Sequence, residues 1–122
     1  MASLRNCKQV TGMRALSIRQ PPAEAIMRGV KKDEYRSGPT KVRGRVYVYA
    51  SQRRLSAADE AKMMGDFRIK DVSCDDLPRG VLVGTVELHD CDGGDWRLRK
   101  PERAKRLLKP KKRPQPAWFY PF

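Results

Sequence analysis

Residues 44–51 read GRVYVYAS and form the clearest β-strand pattern in the chain. Small apolar residues alternate with larger side chains, so a strand would present the two sets on opposite faces of a sheet. Both faces would be partly apolar, which predicts that the strand is central. The two sets are Val46, Val48 and Ala50 on one face and Arg45, Tyr47 and Tyr49 on the other.

Further element patterns flank this strand on both sides. Pro22 suits a first helical turn, and Gly29 suits the position that follows a helix end. Ser56 and Asp59 resemble a capping box at the start of a second helix. Gly84 interrupts a long apolar strand and indicates a bulge or a bend. The predicted elements are strands at 14–18, 33–37 and 81–91 and helices at 22–28 and 57–64.

The end of the chain carries an aromatic cluster, AWFYPF, at residues 117–122. This composition predicts a terminal strand docked into the core, with a basic loop held between it and the preceding strand. Several short strands and two or three short helices, without a regular alternation of the two, predict an α+β fold built as a small mixed β-barrel. We expect one domain over residues 13–122 and a flexible N-terminal arm over residues 1–12.

The charge of the chain favours polyanionic partners. Its 122 residues include 27 Lys and Arg against 14 Asp and Glu, a net charge of +13. Nucleic acid and anionic membranes are both attracted by such a charge. No apolar stretch reaches the roughly 18 residues that a membrane span needs, and no amphipathic helix has bulky apolar anchors. We therefore expect RNA or single-stranded nucleic acid as the partner, and no membrane.

The cysteine and histidine residues do not form a recognisable metal or disulfide pattern. Cys7, Cys74 and Cys91 are scattered, and His89 is the single histidine. Their spacing fits neither zinc nor EF-hand sites, so we expect no metal and no cofactor. One histidine also excludes a two-histidine ribonuclease mechanism. The first ten residues lack the apolar region of a signal peptide, so a reducing, cytoplasmic location is expected.

The strongest charge signal is the basic segment, which we define as residues 97–113. It contains a single acidic residue, Glu102. Lysine and arginine on phosphates release counterions, so this segment predicts salt-dependent binding without base choice. A solvated charged face is the alternative interpretation. Its cationic residues are Arg97, Arg99, Lys100, Arg103, Lys105, Arg106, Lys109, Lys111, Lys112 and Arg113.

Three ordered segments together resemble a known family. They are ALSIRQP at residues 15–21, GVKKDEYRS at 29–37 followed by Arg43-Gly44, and PRG at 78–80 leading into VGTVELHDC at 83–91. In this order and spacing they are similar to the ASCH domain, the activating-signal-cointegrator homology family, which is related to the PUA domain. The resemblance covers about residues 13–122 and implies a PUA-like β-barrel with a cleft beside the first helix.

The resemblance also implies nucleic-acid binding, generally of RNA, in that cleft. Some small bacterial members are enzymes: one resembles an amidohydrolase of N4-acylated cytidine, and another is reported as a ribonuclease. The amidohydrolase type carries Thr three residues after the motif lysine, where this chain has Glu34. Two functions therefore stay open: a binding module, and a small hydrolase with Lys31 as nucleophile or transition-state stabiliser and Glu34 as base. A third hypothesis is a basic architectural or ribosome-associated protein in which the cleft has no role.

The candidate binding residues lie around the first helix and on the strands. Lys31 would contact phosphate, and Glu34 and Arg36 would share one strand face as an ion pair or as base and phosphate contacts. Ser17, Arg19 and Gln20 precede the first helix and would bind an anion at its N-terminus or cap it. Arg45, with the tyrosines on its strand face, would stack bases or pack in the core.

Overall fold

The structure is a computed structural model that describes residues 12–122. The predicted N-terminal arm lies outside the described residues except for Gly12. Two helices are present within the described chain: α1 (Pro22–Met27) and α2 (Ala57–Asp66). A short 3-10 turn covers Cys74–Asp76. The strands are β1 (Ala15–Ile18), β2 (Asp33–Tyr35), β3 (Gly44–Ala50), β4 (Val81–Asp92), β5 (Asp95–Leu108) and β6 (Trp118–Phe119).

The six strands form one sheet in the order β2-β5-β4-β3-β1-β6. β1 and β3 are parallel, and the other neighbouring strands are antiparallel. The predicted α+β class is therefore correct, β3 is central as predicted, and the aromatic C-terminal segment pairs with β1 as a strand. Because parallel strands need a crossover connection, α1 lies between β1 and β3 in the chain and covers one face of the sheet.

The prediction of a β-barrel is not confirmed, because the sheet is open. A barrel requires pairing of its first and last strands, and within residues 12–122 β2 and β6 pair only with β5 and β1. Two side-chain contacts connect the β2–β5 end of the open sheet to its β1–β6 end. Trp96 of β5 stacks on Trp118 of β6 with ring centroids 5.7 Å apart, and Arg36, just after β2, donates to the Ser17 carbonyl oxygen at 2.9 Å.

Apolar side chains pack on both faces of the sheet, as the alternation along β3 predicts. Val46, Val48 and Ala50 belong to the larger cluster, which also contains the apolar residues of α1. Tyr47 and Tyr49 belong to the second cluster and are almost completely buried. Each tyrosine makes an edge-to-face contact with a C-terminal phenylalanine ring. These tyrosines therefore pack in the core, and their rings are not available to stack bases.

The basic segment is not the predicted loop, because residues 97–108 belong to β5. The pairing of β5 with β4 has three register shifts, and one of them accommodates Pro101. Lys100 and Pro101 lie opposite Val86 alone, so they form a bulge, and Lys100 has a positive φ of 52°. A bulge accommodates a proline that has no N–H for the ladder. A second shift lies near Gly84, where the sequence predicts a bend.

An ion-pair cluster anchors α2. The Ser56 hydroxyl accepts from the Asp59 amide at 3.1 Å, which confirms the predicted cap. The helix extends to Asp66, two residues beyond the predicted end. Glu60 is its buried residue and accepts two hydrogen bonds from Arg54, at 2.8 and 2.7 Å. Arg79 is 3.8 Å from the same carboxylate. Glu60 therefore ties α2 to the loops on either side of it.

This cluster predicts a specific loss of stability in acid. The hydrogen bonds of Arg54 lower the pKa of Glu60 from 4.5 to about 2, against the opposing effect of burial. A carboxylate with a depressed pKa contributes stability that is present above pH 4.5 and is lost as the pH falls toward 2. At pH 6, Glu60→Gln should lower the free energy of unfolding by about 2 kcal/mol relative to the natural chain.

Urea unfolding of both proteins at several pH values tests this prediction. The difference between them should shrink steadily as the pH falls from 4.5 toward 2. Comparing the two proteins at each pH removes the effect of the other carboxylates, which both share. A difference that stays constant over this range would contradict the assigned role of the Glu60 carboxylate.

Candidate functional site

A cleft of about 930 Å³ lies between β1, β2, the loop after β3 and the segment 109–117. Two kinds of side chain line it. Leu55, Met63 and Phe67 supply apolar surface from α2 and its flanks. Six cationic side chains and one carboxylate, that of Glu34, also line it. The six cations are Arg19, Lys31, Arg36, Arg53, Lys109 and Arg113.

Lys31, Glu34 and Arg36 meet in this cleft, as their spacing in the sequence suggests. The Glu34 carboxylate accepts from Arg36 Nε at 2.8 Å, and its other oxygen is 3.9 Å from Lys31 Nζ. The Lys31 ammonium also donates to the Asp33 carbonyl oxygen. The side chains of Lys31 and Glu34 are only 14% and 12% exposed. The three charges therefore form a fixed, partly buried group at the edge of the cleft.

Arg36 and Ser17 hold the cleft together. Arg36 bridges from Glu34 to the Ser17 carbonyl oxygen, and its guanidinium lies 5.6 Å from the centre of the Trp96 ring. The Ser17 hydroxyl donates to the Gln115 carbonyl oxygen at 2.6 Å, and the Ser17 amide donates to that of Ala117 at 2.9 Å. Ser17 therefore fixes the C-terminal segment that forms one wall of the cleft.

Arg19 and Gln20 have different surroundings at the start of α1. Arg19 is exposed and lines the cleft. Gln20 is fully buried, donates to the Pro78 carbonyl oxygen and accepts from the Glu24 amide, each at 2.9 Å. The Ala23 amide donates to the Arg19 carbonyl oxygen. These bonds occupy the amides that an anion would need, so Gln20 caps the helix and the positive charge here comes from Arg19.

Comparison with known proteins identifies the family of the chain. Residues 16–119 match the sequence profile of the ASCH domain. The chain belongs to the ASCH domain family. Over 80 residues it is 38% identical to activating signal cointegrator 1 of Homo sapiens and 39% identical to that of Mus musculus. The alignments cover 62% of this chain but only 14% of each relative. The matched residues include all of β1 to β6 except Ala15.

Three arginines in the basic segment of this ASCH domain form ion pairs with carboxylates. Arg97 forms ion pairs with Asp90, Asp92 and Asp95, and Arg99 pairs with Glu87. These pairs lie on the β4–β5 hairpin. They reduce the charge that this part of the segment presents to a ligand.

Arg103 is matched by a buried carboxylate. It makes two hydrogen bonds to Glu24, at 2.9 and 3.0 Å. Burial raises the pKa of Glu24, but the hydrogen bonds of Arg103 and Arg28 outweigh it, and the pKa lies below the usual 4.5. Arg103 thus ties β5 to α1. Its role in the structure is to compensate the Glu24 charge.

The other cations of the segment lie at several places in the ASCH domain. Lys109 and Arg113 line the cleft. Lys105, Arg106, Lys111 and Lys112 are exposed and do not line it. Lys100 is exposed on the bulge of β5, and its carbonyl oxygen accepts from Arg45 at 2.7 Å. Arg45 also donates to Thr85 and lies away from the cleft.

Several residues of the cleft are not indicated by the sequence patterns. Arg53 comes from the loop after β3, and the apolar wall of Leu55, Met63 and Phe67 comes from α2 and its flanks. Tyr35 lines the cleft with a ring that is 68% exposed, 5.1 Å from Lys31 Nζ. The strand alternation predicts that Tyr35 points away from Glu34, so it does not indicate that both residues line the same cleft. No sequence pattern indicates that α2 would face β2.

Metal-binding clusters and membrane helices are both absent from the part of the chain that the structure describes. Within residues 12–122, no three His, Cys, Asp or Glu side chains are close enough to hold a metal ion. None of the helices in that range is long and apolar enough to cross a membrane.

Proposed function

We propose that this ASCH domain binds single-stranded nucleic acid, with RNA as the expected ligand, in the cleft. The observation that carries the proposal is that six cations, one carboxylate and an apolar wall all line the same open cleft. A nucleic-acid strand offers the matching chemistry, because its phosphates are anionic and its unpaired bases are flat and apolar. The preference for RNA rests on the family resemblance.

The unpaired cations supply the phosphate contacts. Arg36 is matched by Glu34, but Arg19, Arg53, Lys109 and Arg113 make no salt bridge among residues 12–122. Their charge is therefore available to a ligand. Each phosphate contact releases counterions, so binding should weaken steeply as the salt concentration rises.

The exposed aromatic and apolar groups supply the base contacts. Tyr35 presents an exposed ring at the edge of the cleft, and such rings stack unpaired bases without requiring a sequence. Leu55, Met63 and Phe67 lie within the same cleft and offer a second apolar surface. A duplex hides the faces of its bases, so this combination favours a single strand.

A hydrolase with Lys31 and Glu34 is the second candidate function. Their charged atoms lie 3.9 Å apart in the cleft, which is a suitable distance for joint action on a substrate. Both groups are already engaged, however: the Lys31 ammonium donates to the Asp33 carbonyl oxygen, and Glu34 accepts from Arg36. This engagement supports a binding role more than proton transfer.

Fluorescence anisotropy of labelled single-stranded RNA, measured across a salt series, tests the proposal. We expect Lys31→Ala to bind about fivefold more weakly than the natural chain, because a partly exposed charge contact contributes up to about 1 kcal/mol. The RNA recovered from both samples is then run on a gel. Intact RNA is the expected result, since a binding module returns its ligand unchanged.

Two results would contradict the proposal. RNA that is cleaved by the natural chain but not by Lys31→Ala would establish the hydrolase. An affinity that does not depend on salt would show that the cations make no phosphate contacts, and the proposal depends on those contacts.

A further inference from the structure

A second pocket of about 270 Å³ lies beside the C-terminal end of α1, between Lys31 and the bulge of β5. Ile26, Val86 and Leu98 lie at its floor and are almost completely buried, so each presents only a small apolar surface to the pocket. Pro101 adds a further apolar surface. The pocket therefore offers a small apolar recess on a domain whose surface is otherwise strongly basic.

The lining of this pocket carries only positive charge. Lys31, Lys32, Arg99 and Lys100 line it, and none of its lining residues is acidic. Arg99 is matched by Glu87, and Lys31 is bound to the Asp33 carbonyl oxygen. The exposed ammonium groups of Lys32 and Lys100 make no salt bridge within residues 12–122. An anionic group at the opening of the pocket would meet both of them.

The backbone conformation of the β5 bulge places Lys100 at the opening of the second pocket. Lys100 and Pro101 form the bulge opposite Val86, and Lys100 has a φ of 52°, which is rare for a residue with a side chain. Arg45 donates to the Lys100 carbonyl oxygen at 2.7 Å and stabilises this conformation. On the other side, the Leu98 amide donates to the Lys32 carbonyl oxygen at 2.7 Å, which fixes Lys32 beside β5.

We propose that this second pocket binds a single nucleotide unit, with the base on the apolar floor and the phosphate between Lys32 and Lys100. The volume is just below the roughly 300 Å³ of the smallest ligand pockets, so the pocket admits one small group such as a single nucleobase. The nucleotide is either free or part of a strand, because Lys31 lines both the cleft and this pocket. The inference goes beyond the proposed function, since a free nucleotide can occupy the pocket with the cleft empty.

Methyl NMR of the full chain locates the ligand directly. Ile26, Val86 and Leu98 report on the second pocket, whereas Leu55 and Met63 report on the cleft. Titration with 5′-AMP should shift the signals of the first group. Adenosine lacks the phosphate and ribose 5-phosphate lacks the base, so each should bind at least about fivefold more weakly. A single-stranded oligonucleotide should shift both groups if a strand supplies the nucleotide.

A matched pair of variants tests the phosphate contact. Asparagine tolerates a positive φ, so Lys100→Asn removes the charge and keeps the bulge. Lys105→Asn removes an equal charge from the same strand outside both sites. We expect about fivefold weaker binding of 5′-AMP for Lys100→Asn and no change for Lys105→Asn.

Three results would overturn the inference. The first is that 5′-AMP does not shift the signals of Ile26, Val86 and Leu98. The second is that ribose 5-phosphate binds as tightly as 5′-AMP, which would indicate a simple anion site. The third is an equal loss of affinity in both variants. If RNA still shifts Leu55 and Met63, the proposed function stands without the second pocket, so the two proposals fail separately.

Discussion

Replacing Arg53, Lys109 and Arg113 together by glutamine is expected to weaken the binding of single-stranded RNA by about 100-fold near physiological salt. All three line the cleft, and none makes a salt bridge among the described residues. If each contact contributes about 1 kcal/mol, three contacts account for roughly this factor. The slope of log affinity against log salt should fall by about 2, because each phosphate contact on a single strand contributes about 0.7.

A second triple variant, with Lys105, Lys111 and Lys112 replaced by glutamine, provides the matched control. Both variants lower the net charge from +13 to +10, since each removes three cations. The control residues belong to the same basic segment but do not line the cleft. We expect the control to lose less than about tenfold in affinity, because it changes only the long-range attraction.

Comparison of the two triple variants also tests the architectural hypothesis. Equal losses would mean that the net charge alone attracts RNA and that the cleft has no special role. Anisotropy over a salt series, with circular dichroism to verify the fold of each variant, gives the required data. A larger loss for the cleft variant, at equal net charge, would support binding in the cleft.

Gly84→Ala is expected to lower the free energy of unfolding by about 3 kcal/mol, at the upper end of the range for overpacking in a core. An added Cβ would collide with the Glu102 carbonyl oxygen, and it would lie 2.6 Å from Met27 Sδ and 3.0 Å from Arg103 Cα. The methionine can rotate away. The Glu102 and Arg103 backbone cannot, because it pairs with β4 in the centre of the sheet.

Gly65→Ala is the control for this substitution. Gly65 lies within α2, and no atom would come within 4 Å of an added Cβ. Alanine is the better helix former, so this variant should be more stable than the natural chain by about 0.5–1 kcal/mol. Urea unfolding measures both changes. A loss below about 1 kcal/mol for Gly84→Ala would show that β4 and β5 can separate at this bulge with little cost.

The local patterns of the sequence predict much of the fold correctly. The Pro22 start of α1, the Ser56 cap of α2, the alternation along β3 and the bend at Gly84 all occur where they are expected. Each depends on interactions between residues that are close in sequence, or on the period of a strand. The resemblance to the ASCH domain is also confirmed, by a match over residues 16–119.

The prediction for the basic segment was wrong for a physical reason. Charge density and prolines favour a loop, but residues 97–108 form β5 because β4 offers a partner strand along most of its length, with bulges that absorb the unpaired residues. Arg97, Arg99 and Arg103 are matched across the hairpin or from α1 by carboxylates that are distant in sequence. A sequence pattern shows which residues are charged, but it does not show which distant residues they contact.

The family, the α+β class, the central strand and the charged group of Lys31, Glu34 and Arg36 can all be predicted from the sequence. The open sheet, the burial of Gln20 and the completion of the cleft by Arg53, Tyr35 and the apolar wall are visible only in the folded chain. Local features follow from nearest-neighbour sterics and hydrogen bonding. Residues far apart in the chain become neighbours only when burial of the two apolar clusters packs α1 and the C-terminal segment on the sheet, and when the ion pairs of Glu60 hold α2 in place.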